Sequence, residues 1–422
     1  MTPSSLSTPL SVEQTQKEIA ELVAVLREST RRRDAIAELI GVENLLGKVL
    51  SEDIISPINV PAHDNSAMDG YAVRFCDLDE LQDTLMKVVG SIFAGAGSVS
   101  QLPAKCAIKI MTGAVMPIGA DTVIPFENAQ SDGTFVSIPS GQKLGQNRRF
   151  AGEDLSQGKV ALPQGKRCGP AEMGLIASLG ISHCKVNTQL RVAILSTGNE
   201  LVDFGSTPKA GQVFDSNRYT LRGMLEKLHV EVIDLGIVSD DPLALEATLN
   251  RASQMADVII SSGGVSVGEA DFTRDVMQKL GRIDFCTVAM RPGRPIAVGV
   301  IGGENGRDKL YFGLPGNPVA VMMTFYFFVQ PAIRQLEGEK YTTPLFMQAI
   351  SQSAFKKKAG RTEYQRAYVV SDGQPKVSST GQQGSGVLRS MSEANCLVVL
   401  HHQQENVAIG DVVNIVLFDG LL

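Results

Sequence analysis

The sequence predicts a multi-domain α/β protein built around a doubly wound parallel sheet. The chain has 422 residues, which exceeds the roughly 100–200 residues of an ordinary domain. Strand-like and helix-like runs alternate between residues 189 and 338, as expected for parallel strands joined by crossover helices. Short apolar runs, broken by Gly and Pro, fill residues 57–146 and 343–422. These two segments predict further, β-rich domains.

The N-terminal domain is predicted to be discontinuous. In residues 12–56 the apolar side chains recur at helical spacing, which predicts amphipathic helices; they are Ile19, Leu22, Val23, Leu26, Ile36, Leu39 and Ile40. Helical spacing returns within residues 147–188, at 169–179. We therefore interpret residues 57–146 as a β-rich domain inserted into one domain formed by 12–56 and 147–188.

The doubly wound domain spans residues 189–338. Its predicted strands are 192–196, 230–235, 258–262, 283–289, 296–301 and 309–312, and its predicted helices are 218–228, 243–255 and 272–280. The apolar segment 319–329 follows a Pro-Gly-Asn-Pro turn and has about half the roughly 20 residues that a membrane helix needs. We expect a buried core helix there, and no membrane span. The alternating segments of residues 343–422 are typical of a small β-barrel or sandwich, and we expect a barrel.

Charge and cysteine usage restrict the class of protein. The formal net charge of -6, without a long basic block, makes nucleic acid an unexpected partner. Six cysteines lie far apart and form no C-x-x-C pair, which favours reduced thiols over a disulfide framework or a zinc site. The N-terminus lacks the basic start and apolar run of a secretion signal. We therefore expect a cytoplasmic protein.

Polar segments follow successive strands of the doubly wound domain. Glu200 and Asp240 come after the first and second strands, and Asp271 comes after the third. In an open α/β sheet the carboxyl ends of the strands form the ligand crevice, so these carboxylates are expected on one rim. They are candidate Mg²⁺ ligands. For Asp271 taken alone, a helix N-cap is an equally good interpretation.

Two further segments suit anions. The Gly-rich residues 261–268 precede a helix, so free N–H groups there favour a phosphate, although a plain βα turn is an even alternative. Arg291 and Arg294, separated by Pro292 and Gly293, offer two planar guanidinium groups to a tetrahedral oxyanion. A solvated basic turn explains them about as well. The G-L-P-G-N-P segment at 313–318 is interpreted as rigid turn chemistry first.

Seven motifs, in this order, resemble those of the molybdopterin molybdenumtransferase (MoeA) family over nearly the whole chain. Each motif alone is weak evidence, but the ordered set is highly specific. The motifs are D-N-S-A-M-D-G-Y-A (64–72), M-T-G-A (111–114), G-E-D (152–154), S-T-G-N-E-L (196–201), S-S-G-G-V-S-V-G-E-A-D (261–271), P-G-R-P (292–295) and G-L-P-G-N-P-V (313–319).

The resemblance implies a four-part homodimer whose cleft lies between the α/β domain of one subunit and the insert of the other. It implies insertion of molybdate into adenylated molybdopterin, with Mg²⁺-dependent release of AMP, downstream of a molybdopterin adenylyltransferase. The implied catalytic residues are Asp271, Glu200, Asp240, Asp69, Thr112 and Asp154, the first three also as metal ligands. The implied molybdopterin-binding residues are Ser196, Thr197, Gly198, Ser261, Gly263, Gly264, Ser266, Gly268, Pro315 and Pro318. The implied molybdate contacts are Arg291, Arg294, Arg366 and Ser390.

The chain departs from the family pattern at several positions. Arg291 and Arg294 replace two lysines that are frequent in the family, which keeps the charge. Thr287 and Ala320 stand where relatives often have Lys and Ser, and Asn199 where they often have Asp. These changes leave tungstate as an alternative to molybdate, and a non-catalytic scaffold as a rival function. A molybdopterin adenylyltransferase is a rival enzyme, because that activity belongs to a protein resembling the α/β domain alone, but the extra domains argue against it.

Overall fold

The computed structural model describes residues 9–33, 37–95, 101–264, 271–302, 306–340 and 344–418. The first elements are helix α1 (Val12–Arg33) and strands β1 (Ala37–Gly41) and β2 (Ile54–Ile55). The helical prediction is therefore wrong for residues 37–41, which form a strand. The apolar spacing of Leu39 and Ile40 is too short to distinguish helix from strand, and antiparallel pairing with residues 183–187 decides it.

The inserted region is β-rich, as predicted. Its strands are β3 (Asn65–Ser66), β4 (Gly70–Val73), β5 (Thr84–Ile92), β6 (Cys106–Ile110), β7 (Thr122–Pro125), β8 (Gln130–Ser131), β9 (Phe135–Ile138) and β10 (Arg148–Arg149). Six of them form one sheet in the order β7-β4-β6-β5-β9-β8. The chain then returns through β11 (Val160–Leu162), α2 (Pro170–Ser178) and β12 (His183–Asn187). Strands β11 and β12 pair with β2 and β1, so the two flanking segments do meet.

The central region alternates strands and helices. Its elements are β13 (Arg191–Thr197), β14 (Leu201–Val202), β15 (Val213–Phe214), α3 (Asn217–Lys227), β16 (Glu231–Val238), α4 (Pro242–Met255), β17 (Val258–Ser262), α5 (Asp271–Leu280), β18 (Gly281–Thr287), β19 (Met290–Arg291), β20 (Pro295–Gly302), β21 (Asp308–Leu314), α6 (Pro318–Thr324) and α7 (Gln330–Glu337). The main sheet has the order β16-β13-β17-β21-β20-β18. Its first four strands are parallel, whereas β20 is antiparallel to both neighbours.

The apolar segment after Pro318 is longer than predicted but is a core helix. A π-helical turn at Phe325–Val329 joins α6 to α7, giving 20 helical residues at Pro318–Glu337. This length and a mean hydropathy of 1.2 would suffice to cross a membrane, but 72% of the segment is buried inside the protein. Helix α1 packs against α7, and its buried face (Val12, Ile19, Val23 and Leu26) joins the α/β core.

The C-terminal region is a closed five-stranded barrel. Its elements are β22 (Met347–Ser351), β23 (Thr362–Asp372), β24 (Gln374–Ser379), α8 (Arg389–Glu393), β25 (Cys396–Leu400) and β26 (Val412–Leu417). The strands follow the order β23-β24-β22-β26-β25, and β25 pairs back to β23. The short strand β19 pairs with the start of β23, so the barrel is attached beside the segment that contains Arg291. The exact domain boundaries given above stay a prediction.

Candidate functional site

A cavity of about 830 Å³ lies where the carboxyl ends of the parallel strands meet the C-terminal barrel. Register places Thr197, Val238, Ser262 and Leu314 at neighbouring strand ends, and the loops that follow these residues form the cavity wall. The lining residues used below are Thr197, Gly198, Glu200, Asn217, Asp240, Ser262, Gly263, Gly264, Arg291, Arg294, Pro315, Gly316, Asn317, Ala320, Arg361, Gln383 and Ser385. The structure therefore brings most of the sequence-predicted α/β residues into one site.

Two carboxylates, Glu200 and Asp240, line this cavity from adjacent loops. The backbone N–H of Asn199 donates to Asp240 Oδ2, and the backbone N–H of Asp240 donates to Asn199 Oδ1, both at 3.1 Å. These reciprocal bonds hold the two loops together. Asn199 thus has a structural role here, and the amide at this position keeps a third charge away from the pair. Gly198 has φ 151°, and a Cβ there would lie 2.7 Å from the Glu200 carboxylate oxygens.

The acidic pair is compatible with Mg²⁺. This ion is held in proteins by one or two carboxylates together with substrate phosphates and water, and two carboxylates line the cavity. In the described parts of the chain there is no group of three or more His, Cys, Asp or Glu side chains that could enclose a metal. Asp271 is the first residue of α5, but its side chain lies outside the described residues.

The Gly-rich turn after β17 contributes Gly263 and Gly264 to the cavity. Gly263 has φ +92°, and a Cβ there would lie 2.5 Å from the backbone oxygen of Thr197, so this position requires glycine. Ser266 and Gly268 lie outside the described residues. Ser261 is directed elsewhere, because its hydroxyl contacts the Tyr311 hydroxyl at 2.6 Å in the protein interior. Burial raises the pKa of Tyr311, so this contact is part of the core.

Beneath the cavity lies a buried polar network that the sequence motifs did not reveal. Ser196 donates to Asp215 at 3.0 Å and contacts the Ser262 hydroxyl at 3.0 Å. Asp215 is ion-paired with Arg218 at 3.0 Å, and Arg218 also pairs with Asp234. Ser196 therefore supports the cavity from below instead of lining it. The sequence D-S-N-R at 215–218 could have indicated this network, because it places four polar residues at the start of a helix.

The opposite wall of the cavity is cationic. Arg291 and Arg294 line it with exposed side chains, and neither forms an ion pair within the described part of the chain. Arg361 also lines it and is held by buried Glu363, through contacts of 2.9 and 2.8 Å from Nε and Nη2. Sequence reasoning missed Arg361, because it reaches the site from the barrel. The wall can therefore stabilise an anion through guanidinium groups that come from two domains, the α/β domain and the barrel.

A second cavity of about 330 Å³ adjoins the first and shares Arg291 with it. Arg366 lines this second cavity and is almost fully buried. Its guanidinium donates to the Ser390 hydroxyl and to the backbone oxygens of residues 382–384. Burial, with a smaller contribution from the charge of Arg291, lowers the pKa of Arg366 to about 10. Arg366 and Ser390 therefore contact each other, and Arg366 also holds the loop that supplies Gln383 to both cavities; their predicted contact with molybdate stays a prediction.

The G-L-P-G-N-P segment begins in the last two residues of β21 and is mainly structural. Pro315, Gly316 and Asn317 line the main cavity, whereas Pro318 starts α6. The Gly316 carbonyl accepts a hydrogen bond of 2.8 Å from Asn217 Nδ2. This bond links the turn to the start of α3.

Asp69 and Thr112 of the insert, and Asp154 of the following segment 147–188, lie outside this cavity within one chain. Asp69 Oδ1 accepts hydrogen bonds from Thr112 N and Oγ1, at 2.7 and 2.9 Å. These bonds hold the pKa of Asp69 below its ordinary value. Asp154 is exposed, and its backbone N–H donates to Val60 O. Asp69 and Thr112 are therefore brought together as a charged, solvent-facing pair, with Asp154 separate from their hydrogen bonds.

Comparison with known proteins gives a consistent result over the whole chain. Residues 10–180 match the MoeA N-terminal region (domain I and II), 193–335 a probable molybdopterin binding domain, and 348–418 the MoeA C-terminal region (domain IV). A molybdopterin molybdenumtransferase of Haemophilus influenzae is 44% identical over 392 residues, covering 91% of this chain and 95% of the relative. One of Nostoc sp. is 36% identical over 370 residues, covering 86% and 84%. The crystal structure of a molybdopterin biosynthesis moeA protein from Pyrococcus horikoshii has a TM-score of 0.80 at 26% identity, covering 97% and 100%.

Proposed function

Because this chain belongs to the molybdopterin molybdenumtransferase family, we propose that it inserts molybdate into adenylated molybdopterin with Mg²⁺-dependent release of AMP. The family assignment makes the chain a transferase of molybdenum cofactor biosynthesis, and it confirms the resemblance seen in the motifs. The observation that carries the finer proposal is the pairing, in one cavity, of two carboxylates with a cationic wall. This combination suits a reaction between two anionic substrates.

The cationic wall is the proposed molybdate site. Molybdate and the substrate phosphates repel each other, so their approach requires fixed positive charge. Arg291 and Arg294 supply exposed guanidinium groups, and Arg366 adds its charge from the second cavity. Ser390 holds Arg366 through a contact of 2.9 Å and acts through it.

Glu200 and Asp240 are the proposed Mg²⁺ ligands, with Asp271 as a further candidate. When bound, Mg²⁺ would polarise the phosphoanhydride and offset charge on the departing AMP. Thr197, Gly198, Gly263 and Gly264 line the cavity beside these carboxylates and are proposed to hold the adenylated molybdopterin. In the reaction, the oxygen of water bonds to the phosphorus of the pterin phosphate, the anhydride P–O bond breaks, AMP leaves with the electron pair, and the proton of water passes to solvent. Molybdate bonds to the two dithiol sulfurs, and one of its oxygens leaves as water with the two thiol protons. No nucleophilic side chain is required.

The proposed active unit is a homodimer in the cytoplasm. In a dimer, Asp69 and Thr112 of the partner's insert, with Asp154 of the partner's segment 147–188, would close the cleft, which gives a purpose to polar and charged residues that lie outside the cavity of their own chain. The adenylated substrate would come from an adenylyltransferase upstream. Sedimentation velocity tests the dimer directly, because a monomer at micromolar concentration would exclude a cleft shared between subunits.

The experiment that tests the function is AMP release from adenylated molybdopterin by the purified protein with Mg²⁺. It is run with molybdate, with tungstate and with neither oxyanion. Molybdate-dependent release is the expected result. Preference for tungstate would instead indicate that Thr287 and Ala320 alter oxyanion choice. If the nucleotide binds but is never cleaved, a scaffold function replaces the proposal.

Replacing Arg291 or Arg294 by Ala is expected to raise the Kd for molybdate about tenfold in each case, because a charge-assisted hydrogen bond is lost. Isothermal titration with molybdate measures this effect. Arg282→Ala is the matched control, because the side chain of Arg282, on strand β18, is 85% exposed and pairs with Asp308 of β21. If Arg282→Ala weakens molybdate binding equally, the effect comes from the net charge of the protein, and Arg291 and Arg294 are not molybdate contacts.

A further inference from the structure

Glu200, the proposed Mg²⁺ ligand at the end of β13, has a carboxylate without a side-chain partner. The carboxylate lies against Gly198, where a Cβ would be 2.7 Å from both of its oxygens. It makes no hydrogen bond or ion pair with another described residue, whereas Asp240 accepts a hydrogen bond of 3.1 Å from the backbone of Asn199. The position of the Glu200 carboxylate therefore depends on the backbone that carries it.

That backbone continues into a small two-stranded sheet beside the main one. Strand β14 starts directly after Glu200 and pairs with β15 over two residues of each strand. The backbone N–H of Val213 donates to the Glu200 carbonyl at 2.9 Å, and that of Asp215 donates to the Val202 carbonyl at 2.9 Å. Residues 204–211, between the two strands, are all exposed. An isolated pair of strands is only marginally stable, so β14 needs a further attachment to be held in place.

Asp203, the first residue after β14, supplies that attachment. Its Oδ2 lies 3.0 Å from Arg218 Nη2, and its Oδ1 accepts a hydrogen bond of 2.6 Å from the Tyr219 hydroxyl. The ring of Tyr219 also meets Phe204 edge to face, with 5.1 Å between the ring centroids. Arg218 and Tyr219 belong to the first turn of α3, so these contacts tie the end of β14 to that helix. We call Asp203, Arg218 and Tyr219 the latch.

Compensation of the buried arginine charge does not explain the latch. The Arg218 side chain is 7% exposed and already contacts Asp215 at 3.0 Å and Asp234 at 2.8 Å, so two carboxylates neutralise it without Asp203. The Asp203 side chain is 51% exposed, and an ion pair with an exposed partner contributes little to the stability of a fold. The third carboxylate on this guanidinium is therefore better explained by the segment of chain that it holds, which is the segment that carries Glu200.

We propose that Asp203 is a positioning residue for the reaction: through the latch it fixes the end of β14 and thereby holds the Glu200 carboxylate where it can bind Mg²⁺ together with Asp240. Mg²⁺ requires near-octahedral ligands at about 2.0–2.1 Å, so a small shift of the backbone at Glu200 weakens metal binding. Neither Asp203 nor its two partners line the cavity. The inference rests on the proposed function and deepens it, because it assigns control of the metal affinity to residues outside the cavity.

Asp203→Ala tests the inference, because it removes both contacts of the latch and leaves the cavity lining unchanged. The Mg²⁺ concentration that gives half-maximal AMP release is expected to rise about fivefold, which corresponds to about 1 kcal/mol. The rate at saturating Mg²⁺ is expected to stay within about twofold, because excess metal selects the correct position of Glu200. Tyr219→Phe removes one contact of the latch and is expected to give a smaller shift in the same direction.

Asp308→Ala is the matched control for Asp203→Ala. Asp308 is also an exposed aspartate paired with an arginine, Arg282, at 3.2 Å. It starts β21 and therefore lies at the end of the sheet opposite the cavity. Its replacement is expected to leave the Mg²⁺ dependence unchanged, and the melting temperature of every variant is the check on folding.

A double variant shows whether Asp203 acts through Glu200. In the Glu200→Gln background, Asp203→Ala is expected to change the half-maximal Mg²⁺ concentration of the residual activity by less than about twofold. A shift as large as in the single variant would overturn the inference. So would an unchanged Mg²⁺ dependence of Asp203→Ala, whether or not its melting temperature falls. Absence of Mg²⁺-dependent AMP release from the unsubstituted protein would overturn the proposed function as well, whereas the other two outcomes leave it in place.

Discussion

Glu200→Gln is expected to reduce molybdate-dependent AMP release by at least about 100-fold, since electrostatic groups at a reacting centre typically contribute 10²–10³ in rate. The substitution keeps the shape of the side chain and removes its charge. Glu200 lies over Gly198 at the end of β13 and shares the cavity with Asp240, so the change would remove half of the described carboxylate pair. Turnover is measured at saturating molybdate, with a titration of Mg²⁺.

The matched control for this variant is Glu231→Gln. Glu231 is an exposed residue of the same sheet, but it starts β16 opposite Arg191 and therefore lies at the amino edge. Its replacement is expected to leave turnover unchanged. A Mg²⁺ dependence that shifts to higher concentration in Glu200→Gln alone would identify a metal ligand. If both variants turn over at the normal rate, Glu200 has no part in the mechanism.

The placement of the carboxylates shows what the sequence could predict. Each of the six strands of the main sheet was visible as an apolar run, whereas the two-residue strands β14, β15 and β19 were not. Parallel strands end at one edge. Glu200 and Asp240 follow two such runs directly, so their shared rim needed only the fold class. The neighbouring arginines were predictable for the same reason, because they lie between two recognisable strands, β18 and β20.

The serine and barrel residues that line the cavity could not be predicted in the same way. Ser261 and Ser262 are consecutive, and successive side chains of a strand point to opposite faces. The sequence does not say which serine faces the ligand; the structure buries Ser261 against Tyr311 and places Ser262 at the cavity. Arg361 and Gln383 reach the site from the barrel, through contacts between residues distant in sequence. Such contacts leave no local pattern.

Arg218→Met is expected to lower the free energy of unfolding by about 3–5 kcal/mol, because removal of one partner leaves buried carboxylate charge uncompensated. Arg218 contacts Asp203, Asp215 and Asp234 at 2.8–3.0 Å, and the Asp215 side chain is only 1% exposed. The chain contains no Trp, so urea unfolding is followed by circular dichroism. The free energy of unfolding is taken from the urea transition in which the α/β domain unfolds.

Arg222→Met is the control for Arg218→Met, because it removes another arginine of α3 without breaking the buried ion pairs. Arg222 lies one turn later, its side chain is 53% exposed, and its ion pair within the described residues is with exposed Glu226 at i,i+4. Little change in the urea midpoint is therefore expected. Adding Asp215→Asn to Arg218→Met should recover part of the lost stability, because it removes the stranded charge. Recovery would show that the cost comes from the uncompensated charge of Asp215, which accepts a hydrogen bond from Ser196 beside the cavity. A double variant as unstable as the sum of the two single variants would instead assign the cost to lost packing around Arg218.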